Sequence, residues 1–142
     1  MASRASNCRG EVRFAGYAAV FDRVDNGGDV VRPGAFARAL QRDDPIPLLW
    51  QHCSGTIIGS IERLAEDSRG LRVIGRLGGS EQARALVAQL RRGEMSGLSF
   101  GYRVRRAERA DHVRTLQELD LVEVSIVANP MQPLARIHAV EG

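Results

Sequence analysis

Ser99 lies in the run Gly97-Leu98-Ser99-Phe100-Gly101-Tyr102, with an apolar neighbour on each side and a glycine two residues away in each direction. A serine there has two readings. It is a small filler on a buried strand, or a nucleophile beside which the glycines let a substrate backbone come close. A serine nucleophile needs a base to take its proton, and the base needs a partner that fixes its tautomer. The histidines are His52, His112 and His138. His52 lies between the apolar run Pro47-Leu48-Leu49-Trp50 and the small-residue stretch Cys53-Ser54-Gly55. That pattern reads as a strand end, where a side chain can face a cleft; the competing reading is a partly exposed loop histidine. His112 stands beside Asp111 in a polar turn, and His138 lies near the C-terminus, where order is least expected.

The third member would be an acid. Leu119 to Val127 is the most β-prone stretch of the chain, and period-two alternation puts Leu119, Leu121, Glu123 and Ser125 on one face. A carboxylate between Val122 and Val124 is costly to bury unless it is paired. Glu123 therefore wants a donor, which a histidine would supply, or it points to solvent from an edge strand.

Other constellations carry less. Cys8, His52 and Cys53 match no common zinc spacing, so neither a metal nor another cofactor is expected. Arg103, Arg105, Arg106 and Arg109 could touch phosphate, but no aromatic residues interleave them, and a solvated strand face is the simpler reading. Gly27-Gly28 lacks the lysine of a phosphate loop. Specific nucleic-acid binding is not expected, although the net charge of +3 leaves it open.

The elements that must position these residues can be read from patterning. The 142 residues, 44% hydrophobic and 26% charged, fit one globular domain that can bury about two-thirds of its unfolded surface. Two cysteines make no disulfide framework, no apolar run approaches a membrane span, and the N-terminus lacks the apolar core of a signal peptide. A cytoplasmic setting is the expectation. Residues 1–10 are expected to be flexible, 11–138 to form the single domain, and 139–142 to be a tail. Strands are expected over Val12–Phe21, Ile46–Trp50, Thr56–Leu64, Gly70–Leu77, Leu98–Ala107 and Val113–Val127. A short helix is expected after Arg32-Pro33-Gly34, with Phe36, Ala39 and Leu40 on one face, and a longer one over Ser80–Arg92. This predicts a mainly β protein with flanking helices (α+β), its six or seven strands curled into a closed or partly closed barrel.

The order of these pieces resembles the tailed-phage prohead maturation protease family. The blocks are Gly16-Tyr17-Ala18-Ala19-Val20-Phe21-Asp22, Gly28-Asp29-Val30-Val31 with Pro33-Gly34-Ala35-Phe36, and Leu48-Leu49-Trp50-Gln51-His52. Ile58-Gly59, Gly70-Leu71, the Ser99 run, and Leu121 to Val127 with Pro130 complete the set, which spans roughly residues 12 to 137. The resemblance implies a serine endopeptidase with a herpesvirus-assemblin-like barrel. It implies that Ser99 is the nucleophile, His52 the base and Glu123 the third member. Assemblin itself uses a second histidine in that third role, and no histidine lies near position 123. Cys53 also stands where the family often has an acid directly after the histidine.

The implied substrates are the scaffold segment of the major capsid protein, other procapsid proteins and the protease itself. The implied place is the assembling procapsid in the host cytoplasm. Because assemblin-type enzymes act as dimers, a homodimer is also an expectation. The alternative is an inactive capsid-assembly or scaffold protein that keeps the barrel.

Overall fold

The computed structural model describes residues 12–142; the segment 1–10 expected to be flexible, and Cys8 within it, lie outside the described residues. In chain order the strands are β1 (Val12–Val20), β2 (Asp29–Val31), β3 (Pro47–Trp50), β4 (Cys53–Glu66), β5 (Gly70–Leu77), β6 (Gly97–Ala110), β7 (Val113–Val127) and β8 (Ile137–Glu141). One α-helix, α1 (Glu81–Arg91), lies between β5 and β6. The sheet runs β2-β7-β3-β4-β5-β1-β8, and β6 pairs with β7 off this path.

β7 organises the sheet. Its N-terminal half takes β2 in parallel (Asp29↔Arg114 to Val31↔Leu116), and its C-terminal half takes β3 in parallel (Leu48↔Val124 to Trp50↔Ile126). β6 runs antiparallel along its length, from Gly97↔Val127 to Ala110↔Val113. The β6–β7 turn consists of Asp111 and His112, with φ of 52° and 68°. Two successive left-handed residues match the twist of a tight hairpin, so His112 is a turn residue.

Three expectations are corrected. The strands number eight rather than six or seven, because Asp29–Val31 forms the short β2 and Ile137–Glu141 forms β8 where a tail is expected from 139. The free edge of β1 supplies its partner, with Phe14↔Val140 and Ala15↔Ala139 in register, and Val140 packs against the core. The first expected helix is only a 3₁₀ turn over Ala39–Gln41. Gly34 adopts φ of +91°, which no helix accommodates. The Gly34 and Phe36 amides donate instead to the two carboxylate oxygens of Glu66, each at 2.8 Å. Of the closed or partly closed barrel expected, the closed form is not found, because the strand ladder has two ends. It curls far enough for Gly97 of β6 to bridge Arg136, just before β8.

The longer helix forms as its pattern predicts. The Ser80 hydroxyl accepts the Ala83 amide at 3.1 Å, and Ala83, Leu86, Val87 and Leu90 are buried. The core joins that face to Phe14, Leu71, Val73 and Leu77 of β1 and β5, and to Leu98, Leu119, Val124 and Ile126 of β6 and β7. Each such side chain contributes about 1.5–3 kcal/mol relative to exposure.

Candidate active site

The site is assembled across three adjacent strands, β6, β7 and β3. In the antiparallel β6–β7 pair, Ser99 stands directly opposite Ser125 and Gly101 opposite Glu123. Residues directly opposite share a face, so Ser99, Ser125 and Glu123 project together. One step later the register slips, with Tyr102 opposite Leu121, which makes Val122 the extra residue of a β-bulge on β7. The bulge corrects the expectation of simple alternation. Leu119 and Leu121 enter the core together with Val124 and Ile126, while Glu123 and Ser125 face His52. Val122 is left exposed.

The glycines beside Ser99 are required by the protein interior. A Cβ on Gly101 would lie 2.4 Å from the Glu123 Oε1 atom and 3.0 Å from its carboxyl carbon. One on Gly97 would lie 2.5 Å from the Val127 carbonyl oxygen and 2.8 Å from the Pro130 ring. Gly101 is therefore the space that the Glu123 carboxylate occupies.

His52 comes from the other side of β7. Gln51 and His52 form the two-residue turn between β3 and β4, with φ of 51° and 61°, and Trp50 pairs with Cys53. Left-handed backbone at two non-glycine residues costs about 1–2 kcal/mol each. Hydrogen bonds to β7 and the segment after it offset this. The Gln51 amide donates to the Ile126 carbonyl at 3.1 Å, the His52 amide to the Ser125 hydroxyl at 3.1 Å, and the Ala128 amide to the Gln51 Oε1 atom at 2.9 Å.

The turn presents the His52 Nδ1 atom to Glu123 Oε1 in a hydrogen bond, and the Ser125 hydroxyl donates to Glu123 Oε2 at 2.6 Å. The Glu123 side chain is 9% exposed and that of His52 44%, so the acid is covered while the imidazole stays open to a reactant. The hydrogen bond to Glu123 raises the His52 pKa above its ordinary value, with its negative charge adding and burial opposing. An ionised carboxylate only accepts, so Nδ1 carries the proton and Nε2 is the basic nitrogen of the neutral ring.

Ser99 and His52 line one cavity of about 380 Å³, together with Gln51, Phe100, Tyr102, Asp29 and Met131. Asp29, in the cavity lining, accepts two hydrogen bonds from Arg114 at 2.9 Å and one from the Tyr102 hydroxyl at 3.1 Å. Arg114 holds the Asp29 carboxyl below its usual range. Ser99 is half-buried and makes no side-chain hydrogen bond to His52 among the described residues. Such contacts often tighten only when substrate binds.

All three expected site residues are thus brought to one place. Ser125 is the member that sequence reasoning passed over, although its i, i+2 spacing from Glu123 on one strand was the available signal. Within the arginine run, Arg105 is paired with Asp120 at 2.8 Å. Cys53 is exposed and free, and among the described residues no cluster of three His, Cys, Asp or Glu could hold a metal ion.

Known proteins resemble this chain in sequence and in fold. The prohead protease of Enterobacteria phage HK97 is 30% identical over 140 residues, a match that covers 91% of this chain and 61% of that one. The chain thus spans about three-fifths of that relative's length. Among solved structures, the bacteriophage T4 capsid assembly protease has a TM-score of 0.64 at 13% identity, covering 81% of this chain and 80% of that chain. The KSHV protease in complex with a hexapeptide phosphonate inhibitor has a TM-score of 0.63 at 16% identity, covering 93% of this chain and 65% of that one. At these identities the two structures establish a shared fold, the herpesvirus-protease-like one. The caudovirus prohead serine protease family matches residues 1–142. With the profile of that family spanning its whole length, the chain belongs to the caudovirus prohead serine proteases.

Proposed function

We propose that this chain is a serine endopeptidase acting in capsid maturation, with Ser99 as nucleophile, His52 as general base and acid, and Glu123 as the partner of His52. The observation that carries the reading is the covered Glu123 carboxylate bonded to Nδ1 of a half-open histidine, in the cavity that Ser99 also lines. The Ser99 hydroxyl oxygen attacks the scissile carbonyl carbon while His52 Nε2 takes its proton. Glu123 stabilises the imidazolium that forms. The tetrahedral intermediate collapses, the C–N bond breaks, and His52 returns the proton to the departing amine. Water then attacks the Ser99 ester by the same route, releasing the acid and restoring the hydroxyl.

The substrates in this reading are the scaffold segment of the major capsid protein, other procapsid proteins and the chain itself. Cleavage would take place inside the assembling procapsid in the host cytoplasm. The HK97 relative is a prohead protease and the T4 neighbour a capsid assembly protease, which supports this assignment.

Replacing the nucleophile tests it. The wild-type chain should react with a fluorophosphonate at Ser99, and Ser99→Ala should lose both the label and self-cleavage, with turnover falling about 10⁶-fold. A wild-type chain that neither labels nor cleaves when co-expressed with its capsid protein would leave the fold as an inactive assembly component.

A further inference from the structure

We propose that Ser125 is the positioning residue of this site, a single hydroxyl that fixes the Glu123 carboxylate and the His52 backbone relative to each other. The proposal deepens the peptidase reading above and rests on it. Ser125 is fully buried, at 0% exposure, on the central strand β7, where Val124, Ile126 and Val127 are all apolar. A hydroxyl at such a position costs free energy unless its hydrogen bonds are made. Both are made here, and both go to the site: the hydroxyl donates to Glu123 Oε2 at 2.6 Å and accepts the His52 amide at 3.1 Å.

The polarity of this chain is fixed by chemistry. An amide can only donate and an ionised carboxylate can only accept, so the hydroxyl proton is directed at Glu123. Amide, hydroxyl and carboxylate then polarise one another in one sense. Two consequences follow. Glu123 is held at both oxygens, Oε2 by Ser125 and Oε1 by His52, which prevents its rotation away from the imidazole. The His52 backbone, in a left-handed turn that its side chain does not favour, is tied to the same strand that carries the acid. Ser125 also stands directly opposite Ser99 in the β6–β7 register. One residue thus references base, acid and nucleophile to a common point. A plain filler would touch its neighbours through van der Waals contact alone, and an alanine would replace it without effect on His52.

The test compares Ser125→Ala, Ser125→Thr and Ser125→Cys with the wild-type chain. Two quantities are measured: the rate of fluorophosphonate labelling at Ser99 as a function of pH, and the His52 titration midpoint by NMR. Removing the hydroxyl in Ser125→Ala should slow labelling about 10–100-fold, the size usual for an outer partner of a catalytic ligand. The His52 midpoint should move down toward its ordinary value as the contact with Glu123 loosens. Ser125→Thr, which retains the hydroxyl, should restore both. Should Ser125→Ala not fold, Ser125→Cys keeps the volume with a weaker donor and should show the same downward movement in lesser degree.

Labelling at the wild-type rate without the hydroxyl would overturn the proposal. So would slower labelling with an unchanged or raised His52 midpoint, which would assign the loss to packing alone. Absence of labelling in the wild-type chain would defeat the peptidase reading instead. The His52 midpoints of the variants would then still decide whether Ser125 holds the pair.

Discussion

At the scale of single residues, the site depends on how one carboxylate is held beside one imidazole. Glu123 raises the proton affinity of His52, so the protonated form is favoured in the folded chain over the unfolded one. A raised folded pKa contributes stability that is fully present below the unfolded value, about 6.5, and is lost as pH rises through the folded value. Catalysis has the opposite dependence, because the base must be neutral, so activity should rise with pH through the raised His52 value. Glu123→Gln keeps the shape and removes the charge. Its rising limb should move to lower pH while its plateau falls about 10²–10⁴-fold, and the stabilisation seen in acid should shrink. A pH–rate profile paired with denaturant titrations at several pH values checks both signs; an unmoved limb would remove Glu123 from the mechanism.

At the scale of elements, the bulge on β7 and the glycine facing it decide where the acid points. Without the slip at Val122, Glu123 would follow Leu119 and Leu121 into the apolar core, where a carboxylate has no partner. With it, the side chain lies over Gly101 toward the β3–β4 turn. Gly101→Ala should therefore disable the site without removing any proposed catalytic group. Its Cβ would stand 2.4 Å from Glu123 Oε1, and the carboxylate must leave His52 to make room. Labelling of Ser99 should drop at least tenfold, and the His52 midpoint should fall, while the far-ultraviolet dichroism of the sheet is retained. If His52 titrated as in the wild-type chain, the space attributed to Gly101 would be unnecessary.

At the scale of the whole molecule, Ser99 and Glu123 lie on strands that also carry the core, and His52 lies on the turn that joins two others. Ile126 is fully buried and pairs with Leu98 of β6 on one side and Trp50 of β3 on the other. Ile126→Ala should cost about 2–5 kcal/mol in urea denaturation. The loss should occur in a single transition, because β7 joins β2, β3 and β6 in one ladder. Under native conditions the His52 midpoint should stay raised, since the hydrogen bonds to Ser125 and Glu123 do not pass through that side chain. Separate transitions for the site and the core would contradict this shared support.

Much of this was legible along the chain. The α1 helix, the β4–β5 hairpin and the long β6 and β7 strands are local patterns, written in residue spacing, a serine cap and turn residues. Ser99, His52 and Glu123 could be singled out as types of residue that need one another, and their ordered sequence blocks pointed to the family. The rest depended on pairing between distant segments. β8 forms because β1 has an edge to offer, and the expected helix after Pro33 gives way because Glu66, some thirty residues later, takes its amides. The part of Ser125 depends on a bulge and on a turn 73 residues away. Composition and periodicity determine which residues can be buried and which chemistry is available. Register, which slips by a residue at little local cost and turns every side chain beyond it, is settled only when the strands meet.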